Sequence, residues 1–118
     1  MIKHNGLIAP AEFWNLSPSQ LNDISNGCGP KGWGWIVPNR FSLIGVNFKP
    51  ACDIHDFCYQ TGVDKEVADK MFLENMLTIA EREAHFGCRI LANHMAFIYY
   101  LAVKNGGAGA YNRAKGDK

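Results

Sequence analysis

The run Cys52-Asp53-Ile54-His55-Asp56-Phe57-Cys58-Tyr59 constrains this chain more than any other stretch. It sets a histidine beside a carboxylate, a cysteine three residues to either side of the histidine, and a tyrosine four residues on. Pro50 opens the run and Thr61-Gly62 closes it, so it reads as a helix from Pro50 to about Gln60. On such a helix His55 and Tyr59 share a face. Asp56 points about 100° away and is free to face a different partner.

A second helix follows at once. Asp64 supplies its cap, and Glu66 stands in its first turn, where the helix dipole favours negative charge. Val67, Met71, Leu73, Met76, Leu77 and Ala80 form its apolar stripe. The helix is expected to reach Phe86, with Gly87 as its stop. A further helix is expected from about Cys88 to Lys104, apolar at Ile90, Leu91, Met95, Ile98, Leu101 and Ala102, and ended by Asn105-Gly106-Gly107. Upstream, Pro10 to Ile24 reads as one helical stretch or two short turns, with Ser17 as N-cap and Pro18 at the first helical position. Gly27 to Pro50 is a glycine- and proline-punctuated loop, long enough to mark function rather than connection. The expected class is all-α, one domain over residues 1–118, with residues 105–118 as a mobile tail.

The two central helices, joined by a short turn, should run antiparallel. With the turn centred on Gly62, His55 lies level with Asp69. A buried, inward-facing Asp69 would hydrogen-bond one imidazole nitrogen and leave the other to accept a proton from water. The Tyr59 hydroxyl would reach the same carboxylate. On its other face the helix turns Asp56 toward the loop beginning Gly27-Cys28-Gly29-Pro30-Lys31-Gly32, whose glycines can turn backbone carbonyls inward at little steric cost. A carboxylate with carbonyl oxygens is the ligand set of a hard cation such as calcium.

A formal net charge of +1 gives no bulk field to attract nucleic acid. No apolar run is long enough to span a bilayer, and Met1 to Gly6 lacks the apolar core of a secretory signal. Either the chain is not exported by that route, or a signal has been removed. Four cysteines are compatible with two disulfides, with one disulfide and two thiols, or with a metal site.

Taken together, Cys52-x-x-His55-Asp56-x-Cys58-Tyr59, the Gly27–Gly32 loop and Asp69-Lys70-Met71-Phe72 resemble the secreted phospholipase A2 superfamily, over about residues 26–77. The resemblance is to its compact, microbial-like members. It implies a phospholipase A2-like fold, in which two antiparallel helices carry the site beside a calcium loop, with an N-terminal and an additional C-terminal helix. It implies Ca2+-dependent hydrolysis of the sn-2 ester of glycerophospholipids. His55 would be the general base, with Asp69 orienting it and Tyr59 supporting Asp69. The Gly29 N–H would join the calcium in stabilising the oxyanion. Asp56 would bind Ca2+ with the carbonyls of Gly27, Gly29 and Lys31, and Asn26 would add a side-chain oxygen. The implied partner is a phospholipid membrane or micelle surface, the implied state a monomer, and the implied location extracellular.

One departure bears on the cysteines. Ala68 stands where longer members carry the cysteine that pairs with the one at Cys58. Cys88 lies about 30 Å further along an unbroken helix, whereas a disulfide needs Cα atoms within about 7 Å. The resemblance therefore implies a Cys28–Cys52 disulfide, with Cys58 and Cys88 free.

Trp33, Trp35, Ile36, Val37, Phe41, Leu43, Ile44 and Val46 crowd the long loop and suit either a core cover or a membrane-facing rim. Two rival readings stand beside the hydrolase. One is zinc on Cys28, Cys52, His55 and Cys58, a set that zinc accepts but that three-residue spacing on one helix serves badly. The other is a catalytically silent relative that binds membranes or a protein.

Overall fold

The computed structural model describes residues 1–24, 40–41 and 45–106. It is mostly helical. The order is β1 (Ile2–His4), β2 (Leu7–Ala9), a 3-10 turn (Ala11–Asn15), α1 (Pro18–Ile24), β3 (Arg40–Phe41), β4 (Val46–Asn47), α2 (Lys49–Gln60), α3 (Lys65–Glu83) and α4 (Arg89–Gly106).

The two strand pairs depart from an all-α expectation. β1 and β2 form an antiparallel hairpin around Asn5-Gly6, both residues at positive φ (53° and 81°). Such a pair is the preferred two-residue hairpin turn, because its twist matches that of the strands. β3 and β4 pair within what the sequence marked only as loop. The N-terminal hairpin is tied to α3 by Asn75, a fully buried side chain. Its Oδ1 accepts from the Ile8 N–H at 2.8 Å and its Nδ2 donates to the Ile8 carbonyl at 2.9 Å. Asn75 thus gives β2 both the donor and the acceptor that a third strand would have supplied.

The helix ends follow local chemistry. Ser17 and Gln20 cap α1 reciprocally, Gln20 N–H to Ser17 Oγ at 3.2 Å and Ser17 N–H to Gln20 Oε1 at 2.9 Å. The expected helical stretch from Pro10 is split into the 3-10 turn and α1. α2 ends in a Schellman motif. Val63 N–H reaches the Cys58 carbonyl at 3.0 Å, Gly62 N–H reaches the Tyr59 carbonyl at 3.4 Å, and Gly62 sits at φ 80°. Asp64 then caps α3, accepting from the Val67 N–H. α3 stops at Glu83 rather than Phe86, because Ala84 is already extended. α4 continues through Asn105 and Gly106, two residues beyond the expected end at Lys104.

The core gathers Phe48, Ile54, Cys58, Met71, Phe72, Met76 and Ile79 from α2, α3 and the residue before α2. α4 packs on it through Ala92, Ala96 and Tyr99. Of the large apolar side chains expected on α4, Met95 packs against this core and most of the others do not. Ile90, Leu91 and Ile98 are more than half exposed, and Leu101 (49%) and Val67 of α3 (46%) are nearly so. Small residues let α4 approach closely, and the face that carries them wins the contact. Among the described residues no helix is long and apolar enough to cross a membrane.

Candidate active site

His55 and Asp69 face each other across the α2–α3 hairpin, both buried. Nε2 of His55 lies 2.8 Å from Oδ1 of Asp69. Tyr59, one turn beyond His55, donates its hydroxyl to the same Oδ1 at 2.6 Å. The imidazole is sandwiched by rings. Phe72 stacks on it at 4.4 Å between centroids, and Tyr59 lies 4.2 Å away, tilted. Hydrogen bond and rings together leave the imidazole little freedom to rotate.

The protonation state follows from the surroundings. Burial lowers the His55 pKa, outweighing the hydrogen bond and charge of Asp69, and the nearby Lys65 charge lowers it further. Burial alone would raise the Asp69 pKa, but hydrogen bonds from His55, Lys65 and Tyr59 outweigh it and hold the carboxyl below its ordinary value. At neutral pH the pair is therefore a neutral imidazole beside a carboxylate. A carboxylate only accepts, so Nε2 carries the proton and Nδ1 keeps its lone pair. This is the arrangement of a positioned base.

A curated protein is partly similar. Conodipine-P3 of Conus purpurascens is 46% identical over 64 residues, a stretch that is 51% of this chain and 35% of that protein. The chain thus spans about a third of that relative's length. No family model matches the chain. No solved structure matches it either.

Asp56 is half-buried and follows His55 directly on α2, so it leaves the helix about 100° away. Its carboxylate is a hard oxygen donor of the kind calcium takes. Asn26, Gly27, Gly29 and Lys31, the other expected ligands and oxyanion donor, lie outside the described residues, as do Trp33, Trp35, Ile36 and Val37 of the apolar loop. Among the described residues no three His, Cys, Asp or Glu side chains converge as a metal site. Cys52 is disulfide-bonded and so is not available as a zinc thiolate. Cys58 and Cys88 are free thiols, and Cys28 lies outside the described residues. His85 and His94 are both exposed.

A cleft of about 270 Å³ lined by Leu7, Phe13, Trp14 and Ile54 runs beside α2. Asp53 also lines it, whereas His55, Tyr59 and Asp69 do not.

One contributor was missed in the sequence. Lys65 Nζ meets Oδ2 of Asp69 at 2.7 Å. Its spacing of four residues before Asp69 was a visible signal, since i,i+4 neighbours share a helix face.

Proposed function

We propose that the chain is a Ca2+-dependent phospholipase A2-like hydrolase that cleaves the sn-2 acyl ester of glycerophospholipids. The observation that carries the reading is the buried His55–Asp69 pair, with Nε2 engaged at 2.8 Å and Nδ1 left as acceptor. The partial kinship with Conodipine-P3 supports a phospholipase A2-like relationship.

Each residue then has a task. Nδ1 of His55 takes a proton from the attacking water. Asp69 fixes the tautomer and stabilises the imidazolium that forms. Tyr59 and the flanking rings hold both in register. Asp56 would hold Ca2+ together with carbonyls of Gly27, Gly29 and Lys31 and a side-chain oxygen of Asn26. An ion held there would supply Lewis-acid stabilisation of negative charge on the ester carbonyl oxygen, and the Gly29 N–H would be a second donor. A Cys28–Cys52 disulfide would anchor the glycine loop to α2 one turn before Asp56. The proposed surroundings are extracellular, at a phospholipid surface.

The test is fatty-acid release from phosphatidylcholine and phosphatidylglycerol vesicles, with calcium and then with chelator. Calcium-dependent release of the sn-2 chain, abolished in a folded His55→Gln variant, is the expected result. No release on either lipid by a folded protein that binds calcium would replace the hydrolase with a silent binding module.

A further inference from the structure

The Asp69 carboxylate has two oxygens, and the two tasks are split between them. Oδ1 takes His55 and Tyr59, and Oδ2 takes Lys65. The ammonium of Lys65 does not stop there. It also donates to the Val103 carbonyl at 2.9 Å and approaches the Lys104 carbonyl at 3.4 Å, both in the last turn of α4. An ammonium has three protons, and these three oxygens can take all of them. The carbonyls at a helix C-terminus have no partner within the helix and carry its negative dipole end, so a cation there is favoured twice over. The Lys65 side chain is 21% exposed and the Asp69 side chain 4%, so the pair is substantially shielded from water.

We infer that Lys65 is a positioning residue of the site, a bracket between the C-terminal turn of α4 and the free oxygen of the carboxylate that orients His55. The inference rests on the hydrolase reading for its kinetic consequence only. A carboxylate held at one oxygen can pivot about its Cβ–Cγ bond. Held at both, it cannot, and the imidazole it orients is fixed with it. α4 thereby acquires a role at the site through its backbone carbonyls. The buried carboxylate also keeps a compensating charge whether or not His55 is protonated, as it must be once it has taken a proton.

The test uses Lys65→Met, Lys65→Arg and Lys65→Cys in the full chain, the last in a Cys88→Ser background and alkylated with 2-bromoethylamine to rebuild an ammonium of near-lysine length. His55→Gln serves as the control for the reading itself. Lys65→Met is expected to lower kcat roughly 10–100-fold at nearly unchanged KM, as a misplaced base does. Arginine is expected to recover part of the loss and the aminoethylated cysteine most of it. Wild-type kcat in folded Lys65→Met, or no recovery when the ammonium is rebuilt, would overturn the inference. A second readout does not depend on turnover. The His55 Nε2–H proton, followed by NMR, should exchange with water faster in Lys65→Met than in wild type. If wild type proves inactive, the hydrolase reading fails, while an unchanged exchange rate in Lys65→Met refutes the bracket on its own.

Discussion

The Tyr59 hydroxyl donates to Oδ1 of Asp69 at 2.6 Å, the same oxygen that faces His55 Nε2. The phenol therefore competes for, and helps to orient, the lone pairs that hold the imidazole. Tyr59→Phe keeps the ring against His55 and removes only the hydrogen bond. A bond to a charged acceptor is worth about 1.5–3 kcal/mol, and chemical denaturation should show a loss in that range. Turnover should fall by less than in His55→Gln, because His55 and Lys65 still hold Asp69. A Tyr59→Phe protein as inactive as His55→Gln would mean that the hydroxyl itself handles the proton.

The His55–Asp69 pair should make the fold acid-sensitive in two stages. Burial, reinforced by the Lys65 charge, holds the His55 pKa below 6.5 in the folded chain. The unfolded chain thus takes up its proton first, and stability present above 6.5 is lost as pH falls through the folded value. Asp69 lies below 3.8, so its contribution is present above 3.8 and is lost as pH falls further. Thermal melts from about pH 7 to about pH 3 should show Tm falling from the first stage onward, and His55→Gln should remove that first stage alone. A Tm in wild type that is flat through the first stage would contradict the burial of an uncharged imidazole.

The two free thiols should behave differently. Cys58 is fully buried, and burial pushes its pKa up to about 12. Cys88 is half-buried beside the start of α4. Iodoacetamide under native, mildly alkaline conditions should label Cys88 and spare Cys58, with both labelled in denaturant. Peptide mapping reads the outcome directly. Stability should also fall as pH rises above 9.0, where unfolded Cys58 begins to ionise and folded Cys58 does not.

Gly45 precedes β4 at φ 81°, and a Cβ there would come within 2.8 Å of the His85 ring. Gly45→Ala should therefore destabilise twice, through a left-handed backbone costing about 1–2 kcal/mol and through the clash. Adding His85→Ala should relieve the clash and leave the backbone part. If the double variant is no more stable than the single one, the ring does not confine this turn.

The central hairpin could be read from the chain because every signal in it is local. Gly62 and Asp64 punctuate it, and the turn position alone sets His55 level with Asp69. Other features needed distances that a sequence does not contain. The i,i+4 relation of Lys65 to Asp69 was visible, but its bond to Val103 crosses 38 positions. Asn5-Gly6 was a hairpin signal flanked by strands of only three residues, too short for an alternating pattern to register. α4 misled for a physical reason. Periodicity counts large apolar residues, whereas close packing selected Ala92 and Ala96 and left Ile90, Leu91 and Leu101 outside.

The contrast between two hydrogen bonds sets an order of assembly. His55 and Asp69 are 14 positions apart, whereas Ile8 must find Asn75 across 67. Closing a loop of about ten residues takes on the order of 10–100 ns, and long-range closures come later because their entropy is lost before their contacts form. The His55–Asp69 pair is thus expected to nucleate within its own hairpin, with the N-terminal strands arriving afterwards as a brace. A chain stalled before that last step would hold His55 aligned against Asp69 on a scaffold not yet locked.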